Sequence, residues 1–244
     1  MRKFVVLTEE RCGYQYLAEL LNSHPDIVFL GEVFAMHQYV REESLFQTGY
    51  RTIQQHETPD DYIDDTICVL GASKKAFGFK LQYDHAEEGS EFHSIWDKIV
   101  RENWSIIHLQ RENLLDRLIS LELAVAEDKW FDEPYETEIY LYPERFEHHV
   151  QRSLAFREKY NKLFAGNPMF MMKYEEFIAD PNILVELQGF LGVDPKSLTS
   201  TKKKQMNRQQ KDCVTNYKQL YEMFGTHDVY GKYFTSKIIV PTFL

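Results

Sequence analysis

Cysteine is scarce in this 244-residue chain: Cys12, Cys68 and Cys213 lie far apart, with no CxxC spacing. That argues against a disulfide framework or a thiolate zinc site and fits a reducing compartment. Positive charge is in deficit, with 28 Lys and Arg against 38 Asp and Glu and a formal net charge of -10. A broad electrostatic grip on nucleic acid is therefore not expected, and an anionic ligand has to be held by local cations. No apolar run approaches the roughly 18–20 residues of a membrane span. No basic-then-apolar leader precedes the strand-like run from Lys3, so no signal peptide is expected and the chain reads as soluble and cytoplasmic. The nine His show no HExxH or similar spacing. His148 and His149 are neighbours on a helix and do not share a face, so no metal is expected. The Gly-x-x-x-x-Gly-Lys-Ser/Thr loop of P-loop kinases is also missing, because the one Gly-Lys pair, Gly231-Lys232, precedes Tyr233.

What is present is ordinary for a globular protein: 43% hydrophobic and 27% charged residues. The length suits a single domain over 1–244, with no repeat, low-complexity segment or linker. Short apolar runs predict strands at Phe4–Thr8, Ile27–Leu30, Phe77–Leu81, Ser105–Leu109 and Met169–Met172. Helical periodicity marks Tyr16–Ser23, Leu114–Ala126, Phe146–Phe164 and Asn182–Leu191. Strands interleaved with helices predict an α/β fold with a mainly parallel central sheet flanked by helices. Ligands in such sheets bind at the carboxyl ends of strands, which directs attention to Arg11, Glu32, Lys80, Arg111 and Tyr174.

The stretch "ERCGYQYL" runs from a strand through a Gly turn into a helix, a shape that holds phosphate through backbone N–H groups and the helix dipole. Cys12, beside Arg11 and a helix start, is expected to have a lowered thiol pKa. In "IIHLQRENLLDRLIS", Asn113 can cap a helix in a capping box with Asp116. Arg111 then sits on the turn and Ser120 about two turns into the helix, at roughly 1.5 Å per residue. Together they can clamp a phosphate; a surface Arg with a helix-packing Ser is the competing reading. Glu32, at a strand end between apolar neighbours, is expected to have a raised pKa suited to a general base. Its alternative is a pair with a nearby Arg or a helix cap. Lys80 interrupts an apolar strand and needs an anionic partner or a snorkelling path. Lys202, Lys203, Lys204, Arg208 and Lys211 form a basic run that is either an anion site or a solvated helix face. Trp130 to Tyr142 is an aromatic and acidic excursion that can present stacking faces to a sugar or simply anchor a loop.

Taken together, "RCGYQYLAELLNSHPDIVFLGEVF", "FGFKLQYDH", "IIHLQRENLLDRLISL", "MMKYEEFIADPNILVELQGFLGVDP" and "KKQMNRQQKDCVTNYKQLYEMF" give the chain a family likeness. It resembles bacterial carbohydrate sulfotransferases of the trehalose and Nod-factor type, which use 3'-phosphoadenosine 5'-phosphosulfate (PAPS). The resemblance implies a P-loop-NTPase-like sulfotransferase fold and transfer from PAPS to a hydroxyl of a carbohydrate, glycoconjugate or other small acceptor, leaving 3',5'-bisphosphoadenosine (PAP), with no metal. It implies that Arg11, Cys12, Gly13, Tyr14 and Gln15 form the 5'-phosphosulfate loop and that Arg111 and Ser120 hold the 3'-phosphate. Tyr174 would lie near the adenine, and Lys203 and Lys204 near the nucleotide phosphates. Glu32 would be the base, with Lys80 and Arg11 stabilising charge. Gln82 stands where cytosolic animal enzymes of the family place a His. Members usually read Arg-Ser/Thr-Gly-Ser/Thr where this chain has Cys12 and Tyr14, so the loop lacks the family's hydroxyls. A nucleotide-binding module without turnover is the alternative that this departure favours.

Overall fold

The computed structural model describes residues 1–34, 58–86, 88–90, 92–130 and 133–234. Five strands form one sheet in the order β2-β3-β1-β4-β5, where β1 is Arg2–Thr8, β2 Ile27–Glu32, β3 Ala76–Gln82, β4 Ser105–Gln110 and β5 Met169–Lys173. Every pairing is parallel. The fold is therefore α/β, as the alternation of patterns predicts. Each strand runs one or two residues beyond the sequence expectation, and Lys80 lies inside β3, as expected.

Alternation along β1 sorts its side chains onto two faces. Val5 and Leu7 join Phe77, Phe79 and Trp104 on one face, under helices α2 (Pro59–Leu70), α3 (Ser94–Arg101) and α5 (Pro143–Leu163). Phe4 and Val6 join Phe29, Ile107 and Met172 on the other, against α1 (Tyr14–Asn22), α6 (Tyr174–Phe177) and α7 (Asn182–Phe190). A third cluster joins α4 (Leu114–Glu127), α5 and α8 (Tyr217–Phe224) through Leu118, Phe146, Leu220 and Phe224. The sequence reading marks no helix at α2, α3 or α8. Lys98, which breaks the apolar face of α3, is buried against Asp64 and Glu102.

The turn after α1 explains the sequence "NSHPD". The Asn22 amide accepts from Phe29 N and donates to Phe29 O, both at 2.9 Å, fastening the helix end to β2. His24 Nδ1 accepts from Asp26 N at 3.0 Å, closing the bend before the strand. The connection from β1 leads to one side of the sheet and that from β4 to the other, so the crevice where ligands bind in such sheets opens at their carboxyl ends.

Candidate active site

The segment linking β1 to α1 turns through two left-handed residues, Arg11 (φ 61°) and Gly13 (φ 81°). A Cβ at Gly13 would fall 2.5 Å from the Tyr174 ring, so close approach and conformation both require glycine there. Between them Cys12 is directed inward and is 1% exposed, packed with Leu17 and Phe177. Burial pushes its thiol above the ordinary value, outweighing the nearby Arg117 and Arg157. The lowered thiol expected from the helix start is thus corrected: Cys12 is a core residue and faces away from the crevice.

A buried charge network supports the segment from below. Arg117 pairs with Glu9 at 2.9 Å, donates to Ser153 Oγ at 2.6 Å and approaches Glu10 Oε1 at 3.4 Å. Arg157 donates to the carbonyl of Arg111 at 2.7 Å. The Glu9 carboxyl is raised by burial, against the pull of Arg117 and Arg157.

At one end of the crevice three cations converge. Arg11 donates to Ser120 Oγ (3.1 Å), Trp130 O (3.1 Å), Tyr135 Oη (2.6 Å) and Gln205 Oε1 (2.6 Å). All four acceptors are neutral, and among the described residues no carboxylate forms an ion pair with Arg11. Burial lowers its pKa, with the Tyr135 oxygen opposing and Arg111 reinforcing. Arg111 donates to the Arg11 carbonyl at 3.2 Å and lies 4.9 Å over the Tyr174 ring. It reaches Asp116 only at 3.9 Å, and its Nε is buried without a hydrogen-bond partner. Lys204 lies near enough to Arg111 to feel it: burial first, then that guanidinium, lowers its pKa. Lys202 is drawn to Glu19 on α1 instead, at 3.7 Å, and Lys203 is exposed. The basic run is not a helix here but an irregular strand of chain whose successive side chains diverge.

The capping box is half realised. Asn113 Oδ1 accepts from Asp116 N at 2.9 Å as expected. The return bond comes from elsewhere, since Glu175 Oε1 takes Asn113 N at 3.1 Å. Asp116 instead receives Gln210 Nε2 at 2.7 Å, and burial raises its carboxyl despite Arg111.

The other end is closed on itself. Lys80 is 1% exposed and pairs with Glu32, which it faces across the β2–β3 register. Its ammonium also sits 3.4 Å from the centroid of the Tyr14 ring. Burial lowers the Lys80 pKa, with Glu32 opposing. Burial works to raise Glu32, but the charge and hydrogen bond of Lys80, followed by His85 and the Tyr14 hydroxyl, hold its carboxyl below the ordinary value. The raised pKa expected from apolar neighbours is therefore corrected, because the decisive neighbour comes from the adjacent strand. Gln82 Nε2 approaches the same carboxylate at 3.4 Å. His85 is kept neutral by burial and by Lys80, its pKa lowered to about 4. Gln15 occupies the first turn of α1, partly buried.

Sequence reading thus located Arg11, Arg111, Ser120, Tyr174 and Lys204 at one end and Lys80, Glu32 and Tyr14 at the other. It did not single out Glu9 and Arg117, polar residues in largely apolar runs, nor Tyr135 and Gln205, which lie in loops flanked by charged residues. Among the described residues no helix is long and apolar enough to cross a membrane, and no His, Cys, Asp and Glu group is arranged to hold a metal ion.

No protein-family model and no curated protein matches the sequence. Solved structures do match. A sulfotransferase from Alicyclobacillus acidocaldarius superposes with a TM-score of 0.54 over 91% of this chain and 95% of that one, at 18% identity. The chain has the fold of that sulfotransferase.

Proposed function

We propose that the protein is a PAPS-dependent sulfotransferase acting on a hydroxyl of a carbohydrate or glycoconjugate, as a single cytoplasmic domain. The observation that carries this reading is the pairing of Arg11 and Arg111 at the strand-end crevice: one guanidinium meets neutral acceptors, the other keeps a buried, unpartnered Nε. Buried cations are ordinarily paired, so this end suits an anionic group such as the 3'-phosphate of PAP. Arg111, Ser120 and Lys204 would hold it, with Tyr174 nearby and Arg11 between it and the 5'-phosphate. The turn from Arg11 to Gln15 would face the 5'-phosphate through backbone N–H groups, and Lys203, on the exposed side of its segment, would act at longer range. Glu32 would take the acceptor proton as the acceptor oxygen bonds to sulfur. The sulfur–oxygen bond to the 5'-phosphate breaks, and Lys80 and Arg11 stabilise the charge left on phosphate. A depressed carboxyl keeps Glu32 ionised at neutral pH, which suits an acceptor of protons although it weakens the base.

One observation favours a second reading, a nucleotide-binding module without turnover: Tyr14 and Glu32 together occupy Lys80. Calorimetry with PAP, then labelled PAPS with a glycan panel, separates the two. PAP at a hundredfold excess over its Kd should stabilise the fold by about 2.7 kcal/mol, and Arg111→Ala should abolish most of that gain. Equal binding by wild type and variant, or none by wild type, overturns the proposal; binding without transfer leaves the second reading.

A further inference from the structure

Tyr14 is the first residue of α1, directly after the left-handed Gly13. Its ring covers the Lys80 ammonium at 3.4 Å, and its hydroxyl donates to the Glu32 carboxylate. Lys80 itself is almost completely enclosed, at 1% exposure. One side chain therefore engages both groups to which the chemistry was assigned above. A cation on an aromatic face is held more strongly when the pair is desolvated, so the cover is not incidental packing. Lys80 belongs to β3, aligned with Val6 of β1 and Glu32 of β2.

We propose that Tyr14 is a positioning residue that holds the Lys80–Glu32 pair closed, and that the pair meets the sulfuryl donor only when the Tyr14 ring turns off the ammonium. The ring is tethered by its own backbone to the segment that faces the 5'-phosphate, so occupancy of that segment and release of the lysine are mechanically linked. Opening would expose one positive and one negative group together, so the crevice changes its reactivity without changing its net charge. This role rests on the sulfotransferase reading for its effect on turnover, but not for the closure itself.

The test uses the full chain and two variants. Tyr14→Ser removes the cover, and Tyr14→Phe keeps the ring while deleting the hydroxyl. Lys80 is acylated with an N-hydroxysuccinimide ester and followed by peptide mass spectrometry. In folded Tyr14→Ser its rate should rise at least tenfold; a wild-type rate overturns the proposal. The Glu32 carboxyl is titrated by carbon-13 NMR in wild type and Tyr14→Phe. Lys80 and Gln82 from β3, His85 from the following turn and Tyr14 face that carboxyl, with Glu10 acting on Lys80 and His85. Losing the hydroxyl removes a bond that favours the charged form, so the midpoint should move up in Tyr14→Phe. An unmoved midpoint overturns the proposal even if Tyr14→Ser fails to fold. Turnover per bound nucleotide by Tyr14→Ser should increase severalfold. Absence of PAP binding sinks the sulfotransferase reading alone, because labelling and titration need no substrate.

Discussion

The two ends of the crevice are built from the same kinds of groups and left in opposite states. At the Arg111 end, guanidinium groups accumulate, and the carboxylate nearest to them, Asp116, stands 3.9 Å off with its pKa raised. At the Lys80 end one cation, one carboxylate and one aromatic ring satisfy one another. Both are buried, so burial alone does not decide which is ready for a ligand. The difference is whether the counter-charge comes from the chain. At the first end several cations share one distant carboxylate, whereas at the second a single cation has a carboxylate and an aromatic ring to itself; on the reading proposed above, the first would take an external anion directly and the second would have to open.

The most severe way to break this contrast is to remove the carboxylate from the closed end. Glu32→Gln should lower kcat by roughly a hundredfold to ten-thousandfold, the usual contribution of a placed general base. PAP affinity should stay near wild type, because the nucleotide end is untouched. Rapid-quench turnover and calorimetry on one preparation read both quantities. Unchanged turnover in a folded variant would move the base elsewhere, with His85 and Asp84 next in line.

A smaller effect is expected from Gly13→Ala, which strikes the hinge between the ends. The added Cβ meets the Tyr174 ring at 2.5 Å in a left-handed backbone. Strain of this kind costs on the order of 1–3 kcal/mol, visible as a lower denaturation midpoint, and displacement of Tyr174 should also weaken PAP. A variant as stable as wild type, with full affinity, would show that ring and turn are not coupled.

The smallest effect concerns pH and leaves both ends intact. His108, hydrogen-bonded to Tyr83 and Asn161 under the sheet, has its pKa lowered to about 4 by burial. His149 is lowered to about 2, again mainly by burial. The unfolded chain binds their protons near pH 6.5 and the folded chain does not, so stability should fall as pH drops from about 6.5 toward 4. Urea midpoints across that window should decline, and less so in His108→Gln.

The sheet was legible because each strand carries its own apolar run, and α1 and α4 were legible because their apolar stripes are long. What escaped the sequence shares one physical cause: partners that lie far away in the chain. Glu32 looked like a desolvated acid because its sequence neighbours are apolar, whereas Lys80 arrives through strand pairing. Cys12 looked activated because a helix starts beside it, whereas the two left-handed residues turn it into the core. Lys203 and Lys204 looked alike in a basic run, yet an irregular backbone sends them in different directions. Arg11 and Arg111 were found from their place after strands, while Tyr135 and Gln205, which hold Arg11, come from loops with no such marker.

The position of β1 in the sheet bears on how the chain reaches this state. Its neighbours are β3 and β4, with Arg2 aligned on Ala76 and Phe4 on Ser105. Both partners follow β1 in the chain, so among the described residues it has no ladder partner until Ala76–Gln82 has been made. Until then an all-apolar run, Phe4 to Leu7, stays exposed with both edges open. Pairings this distant slow folding and lengthen the time during which such a strand can join another chain. Pulse-labelled nascent chains should accordingly show protection at β1 only after β3 has emerged, with the second edge closing after β4, and chains halted before Ala76 should be the ones that chaperones retain.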